Sequence, residues 1–273
     1  LAEHFGAIEG ASIDANKGAY SSAWMIIFAV IAAIMVLIGL YHIRMLPSNQ
    51  IPSTTKKTTS EVGRELVAVI ANFFTKKHIF YYICFIILYR LAEGFIMKIA
   101  PLFLRASREV GGLGLSLTEI GTLNGIFGSA AFVLGSLLAG IYVSKFGLKK
   151  TLFTLCCIFN LPFVAYTFLA VTQPTNVYLI GTCITMEYFG YGFGFVGLTL
   201  FMMQQIAPGK HQMSHYAFAS GIMNLGVMLP GMVSGYFSDL LGYRNFFIYV
   251  LIATIPAFLI TYFIPFTYDD SKK

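Results

Sequence analysis

Apolar residues in this chain come in blocks of about twenty or more, separated by short clusters of charge, glycine or proline. A helix rises 1.5 Å per residue, so roughly 20 apolar residues cross about 30 Å of hydrocarbon. Seven blocks of that length, at 23–43, 79–104, 119–143, 151–171, 177–205, 216–238 and 246–266, predict seven transmembrane helices and hence an all-α membrane bundle. Ser116 followed by Glu119 predicts a capping box at the start of the third span, while Gln173-Pro174 and Pro208-Gly209 predict loops. Residues 44–78 form the one long polar stretch and divide the spans into one plus six. Its second part, Glu61 to Lys77, is amphipathic and reads equally as a helix lying on the membrane face or a solvated linker helix. The expected organisation is a leading segment 1–22, a single helix 23–43, a central loop 44–78, a six-helix half 79–268 and a tail 269–273.

Composition excludes the main alternatives. Only 11% of the residues are charged and 57% are apolar, whereas soluble domains carry about 25% charged residues. Soluble enzymes and nucleic-acid partners are therefore not expected. The 18 Lys and Arg against 12 Asp and Glu report topology. If residues 1–22 lie outside, twelve Lys and Arg fall inside and only Lys17, Arg105, Arg108 and Arg244 fall outside, with Arg90 and Lys98 left within spans. The positive-inside rule then puts the C-terminus in the cytoplasm and an odd number of spans puts the N-terminus outside. The four cysteines sit in apolar runs and imply no disulfide framework. A start at Leu1 without a signal peptide leads us to expect a truncated chain.

Gly140, Ser144, Gly147 and Lys149 after the third span share their spacing with Gly235, Asp239, Gly242 and Arg244 after the sixth, 95 residues on. That displacement equals three spans, an odd number, so the two copies face opposite sides of the membrane, as in an inverted-topology repeat. The first and last spans also echo each other, with an aromatic entry and a proline, Pro47 or Pro265, at the exit. The first span thus looks like the last helix of a preceding six-helix half. Six helices per half, a cytoplasmic central loop and the turn GIYVSKFGLKK at 140–150 resemble the major facilitator superfamily, whose loop motif is matched at Gly140, Lys145, Gly147, Lys149 and Lys150. Ser144 replaces the Asp of that motif; the glycines are expected to allow close helix packing there. The stretches YRLAE at 89–93, SLTEIGTLN at 116–124, Glu187 through Gly194, and His215-Tyr216-Ala217 are similar to AmpG-type muropeptide permeases and their acetyl-coenzyme A transporter relatives.

A charge at mid-bilayer costs at least about 2.5 to 3.5 kcal/mol and so faces protein or a wet cavity. Arg90 and Glu93 lie three residues apart in the second span and are expected to pair. Glu187, near the middle of the fifth span, has no cation in its own helix and is the better proton-carrier candidate; Lys98 lies deep in the second span. The repeat makes the second and fifth spans equivalent, and the superfamily resemblance implies that both line the cavity. Structural hydrogen bonding between helices remains the plainer reading of both carboxylates. Tyr191, one turn beyond Glu187, could stack on a sugar, and Gly190, Gly192, Gly194 and Gly197 read as a close-packing face. Asn124, Asn160 and Asn224 read as helix-to-helix hydrogen bonders.

His4, His42, His78, His211 and His215 fall in loops or span ends, and no nucleophile group, metal-spaced cluster or phosphate-cradling loop accompanies them. An intramembrane transferase is therefore disfavoured, no cofactor or metal is implied, and a channel subunit is the other rival. The expectation is a proton-coupled inner-membrane transporter of an anionic, sugar-containing solute. Arg90 and Lys98 suit an anion, and the resemblance implies an anhydro-muropeptide, with neutral oligosaccharide, peptide or acetyl-coenzyme A-like substrates as alternatives.

Overall fold

Residues 3–6, 16–45 and 58–268 are described in a computed structural model, and they fall into two units, Leu1–Thr58 and Thr59–Lys273. In the first unit, a 3-10 turn at Glu3–Phe5 precedes the 29-residue helix α1, Lys17–Met45. α1 is apolar around its whole circumference, and from Trp24 to Met45 nearly all its side chains are exposed. Such a helix needs lipid or another helix on every side. The echo at Pro47 lies outside the described residues.

The second unit opens with α2, Thr59–Phe74, an amphipathic helix as its pattern predicts. Its Phe73 is buried against His215 and Phe218. The spans follow as α3 (Ile79–Tyr89) with α4 (Leu91–Arg105), α5 (Leu117–Gly121) with a π-helical turn (Thr122–Gly128) and α6 (Ser129–Phe146), and α7 (Leu148–Asn160) with α8 (Phe163–Thr172). After them come α9 (Val177–Phe201) with a π-helical turn (Met202–Ile206), then α10 (Gln212–Ala253) and α11 (Ile255–Tyr262).

Five of these helical stretches are long and apolar enough to cross a membrane. One of them, Gln212–Tyr262, has 51 residues, about 76 Å at 1.5 Å per residue, and is broken at Gly242 (φ 69°, ψ 159°). It makes two crossings. α9, diluted by five glycines and three tyrosines, packs against α6, α7 and α8 as a further one. The seven predicted spans are thereby accounted for, although the second and fourth prove to be pairs of helices, the third is interrupted by the π-helical turn and the seventh breaks between Ala253 and Ile255. The break in the fourth follows from Pro162, whose ring cannot continue the preceding turn.

The repeat is visible in the backbone. The helices beginning at Leu117 and Gln212 start 95 residues apart. Gly147 (φ 80°, ψ 147°) and Gly242 (φ 69°, ψ 159°) are also 95 apart and share a conformation that is essentially closed to any residue with a Cβ. Three crossings separate the copies, so they point in opposite directions. Packing at these turns differs from expectation. A Cβ on Gly140, Gly147, Gly235 or Gly242 would meet nothing within 4 Å, so none of them seats one helix on another; Gly147 and Gly242 turn the chain, while Gly140 and Gly235 lie within helix. Ser144 bonds back to the Ile141 carbonyl at 2.8 Å.

Close packing occurs on α9 instead. A Cβ on Gly192 would collide with the Phe132 carbonyl of α6, one on Gly190 with the Ile158 carbonyl of α7, and one on Gly194 with the Phe159 side chain. From α6, Gly135 returns the contact by pressing on the Phe189 carbonyl. Hydrogen bonds use the proximity: Tyr89 Oη donates to the Gly194 carbonyl at 2.9 Å and Ser136 Oγ to the Gly192 carbonyl at 3.1 Å. α9 is therefore fixed in register on two sides. The predicted capping box is present, with the Glu119 amide donating to Ser116 Oγ at 3.2 Å and the Ser116 amide to Glu119 Oε2 at 2.8 Å. The expected loops are present too, with Gln173 (φ 47°) ending α8 and Gly209 (φ 127°) following α9.

Candidate functional site

Arg90 occupies the break between α3 and α4, at φ −104°, ψ 7°. Leaving the helical path there turns its guanidinium back along α4. Nε donates to Glu93 Oε2 at 2.6 Å and Nη2 to Oε1 at 2.5 Å, so the pair is bidentate. Arg90 is 4% and Glu93 5% exposed. The Phe195 ring of α9 lies 5.3 Å from Cζ, a cation–π contact that holds the guanidinium plane from the other side. The predicted pair exists, and it engages two of the guanidinium's five N–H donors.

Glu93 also lines a cavity of about 100 Å³ together with Asn124, Tyr166, Glu187, Tyr188 and Tyr191. α9 brings Glu187, Tyr188 and Tyr191 to it; α4 brings Glu93 from the opposite wall. The π-helical turn contributes Asn124, and α8 contributes Tyr166 just beyond the Pro162 break. Two carboxylates, an amide and three phenols face one small space whose other walls are apolar side chains such as Ile96 and Leu104. Asn124 Oδ1 is buried and has no hydrogen-bond partner among the described residues, so this wall presents acceptors that a ligand must satisfy with donors. Sites for drug-sized molecules measure about 300–1,000 Å³. The cavity by itself accommodates a few waters or a proton relay, not a sugar-peptide.

The other predicted residues lie elsewhere. Lys98 is exposed on α4 beside Gly231 and does not line the cavity. The exposed Lys145, Lys149, Asp239 and Arg244 mark the two turns of the repeat, remote in sequence from every lining residue. Two cavity residues escaped the pattern reading. Asn124 looked like any helix-to-helix amide, although π-helical turns recur at functional positions, and its signal lies in backbone geometry that sequence alone does not display. Tyr166 was one tyrosine among 16.

Comparison with known proteins adds an independent line. Residues 113–273 match the sequence profile of the Major Facilitator Superfamily. The chain is 22% identical over 209 residues to the anhydromuropeptide permease of Escherichia coli strain K12, covering 77% of this chain and 41% of that one. It is 26% identical over 257 residues to the Rickettsia bellii protein named transporter AmpG 1, covering 90% and 60% respectively. A Rickettsia prowazekii counterpart, AmpG 2, is 24% identical over 206 residues, with 73% and 47% covered. The chain thus spans about half the length of the curated relatives it matches.

Proposed function

Because this chain belongs to the Major Facilitator Superfamily, we propose that it forms the C-terminal part of a secondary active transporter that carries an anhydro-muropeptide-like sugar-peptide across the inner membrane with protons. Its C-terminus faces the cytoplasm, and the rest of the substrate pathway comes from residues N-terminal to it. The observation that carries this reading is the meeting of Glu93 and Glu187, on two helices related by the repeat, in one cavity. Two negative charges so close in an apolar surround repel strongly, and a proton is the smallest ligand that relieves the repulsion. Among the described residues Glu187 has no bonded cation, and it takes that proton; Glu93 stays paired with Arg90. Tyr188 and Tyr191 offer ring faces to the sugar.

Glu93 engages Nε and one Nη2 N–H of Arg90, so a substrate carboxylate meets either the remaining Nη1 and Nη2 N–H groups or the edge that Glu93 gives up. That engagement also favours a second reading, a neutral oligosaccharide for which Arg90 is purely structural. Proton-driven uptake and counterflow of labelled substrate in liposomes holding the gene's complete product test the proposal. Anhydro-muropeptide should accumulate against its gradient, and Glu187→Gln should abolish accumulation while leaving exchange measurable. Full accumulation by that variant removes Glu187 from coupling. Equal binding of a neutral disaccharide and muropeptide, unchanged for both in Arg90→Gln, replaces the anion by the neutral sugar.

A further inference from the structure

Helix α9 carries Glu187 and Tyr191 near its middle and ends in the π-helical turn Met202–Ile206. Within that turn Gln205 is 3% exposed, and its side chain makes three hydrogen bonds. Nε2 donates to the Tyr268 carbonyl at 2.6 Å, while Oε1 accepts from the amides of Thr267 and Tyr268 at 2.8 and 3.0 Å. One amide side chain thus pairs with the backbone of residues 267 and 268 as a neighbouring strand would. Tyr82 of α3 holds the same segment, its hydroxyl 2.8 Å from Thr267 Oγ1, and Phe266 stacks edge-on against Phe201 of α9 at 5.7 Å. Lys76, just after α2, grips the turn by another route, with Nζ donating to the Ile206 carbonyl and, at 2.7 Å, to that of Pro208. The Ile206 carbonyl, at the end of the π-helical turn, is thereby taken by a group from outside the helix.

We infer that residues 264–268 form a releasable strap on the end of α9, and that Gln205 is the positioning residue coupling the strap to the cavity about 27 Å away along the same helix, at 1.5 Å per residue. The inference rests on the proposed transport function and adds to it that the end of α9 beyond its glycine-packed middle moves during transport. Three of the bonds that close the strap are made by one buried side chain to two peptide groups, and the Tyr82 hydroxyl adds a fourth at Thr267, so these bonds open together when residues 267 and 268 leave. Closed, it ties the end of α9 to α3 and to the C-terminal segment; open, it frees that end to follow the cavity. By reciprocity, a change in the cavity must alter the strap by the same factor that the strap alters the cavity.

Hydrogen exchange of the Thr267 and Tyr268 amides in the complete protein reads the strap without any substrate. Gln205→Ala should speed their exchange about tenfold, the change expected from losing one to two net hydrogen bonds, while amides of α4 and α10 keep their protection and so certify the fold. Gln205→Glu keeps the acceptor and loses the donor, and should give an intermediate rate. The decisive arm is Glu187→Gln, a change in the cavity alone, which should shift exchange at 267 and 268 by at least about threefold. Unaltered exchange there would overturn the coupling, and wild-type exchange in Gln205→Ala would overturn the strap itself. A disulfide formed with added oxidant between cysteines placed at 205 and 267, on a background without the native cysteines, should cut uptake at least about tenfold until reductant is added. Undiminished uptake by the linked protein counts against the inference, as does failure of reductant to restore it. If the wild type takes up no muropeptide, the transport proposal fails on its own, and the exchange rates still decide the strap.

Discussion

At Arg90 a single side chain answers to three neighbours: the helix break that turns it, the carboxylate that pairs with it and the aromatic ring that covers it. Removing one partner of such a pair leaves a buried charge unsatisfied, at a cost of about 3–5 kcal/mol, whereas replacing both by apolar residues of like volume is often neutral. Glu93→Leu should therefore lower the melting temperature of the purified protein markedly, and adding Arg90→Met should recover most of the loss. If the double variant is no better than the single, the pair is not what stabilises this region. Glu187 differs in having, among the described residues, no bonded cation to strand. Glu187→Gln should leave the melting temperature near that of the wild type while removing proton-driven accumulation, so stability and coupling separate at these two carboxylates.

Along α9 the chemistry of the helix lies in the atoms it lacks. Gly190 and Gly192 press on backbone carbonyls that have no rotamer with which to retreat, so Gly192→Ala should cost more than about 1 kcal/mol and lower the yield of monodisperse protein. Gly221→Ala on α10, where a Cβ meets nothing within 4 Å, should be tolerated or slightly stabilising. At the turns the criterion is conformation rather than space: Gly147→Ala must adopt φ 80° and is destabilised by about 1–3 kcal/mol, while Gly140→Ala is near neutral. Thermal unfolding of the four variants orders them. The spans, the capping box and the glycine face of α9 were legible in the sequence because each depends on residue type at helical spacing. The break at Arg90 was not, since no glycine or proline marks it and tertiary packing produces it. The role of Asn124 was hidden for the same reason, and the openness around Gly140 and Gly235 depends on what happens not to lie opposite them.

For the molecule as a whole, the 95-residue displacement found first in loop residues extends to the helix starts at Leu117 and Gln212 and to the matched backbone of Gly147 and Gly242. A repeat displaced by three crossings fixes the relative direction of its copies, but which side is cytoplasmic rests on the balance of Lys and Arg. Cysteines placed at Lys210 and Thr175, both exposed and in different loops, test it with an impermeant maleimide in oriented vesicles. Residue 210 should react only from the cytoplasmic side and residue 175 only from the other, and the opposite pattern would invert the assigned topology.

The contacts at Gly135, Gly190 and Gly192 have a consequence for the gene. Glycine codons begin GG, and any change in either of those two bases specifies a residue with a Cβ or a stop. At these three positions every such carbon is driven onto a neighbouring carbonyl oxygen. Nucleotide variation there should thus concentrate in the third base, and a saturation library selected for transport should return these three codons chiefly as silent changes, more so than the codon of Gly221, where a Cβ meets nothing within 4 Å.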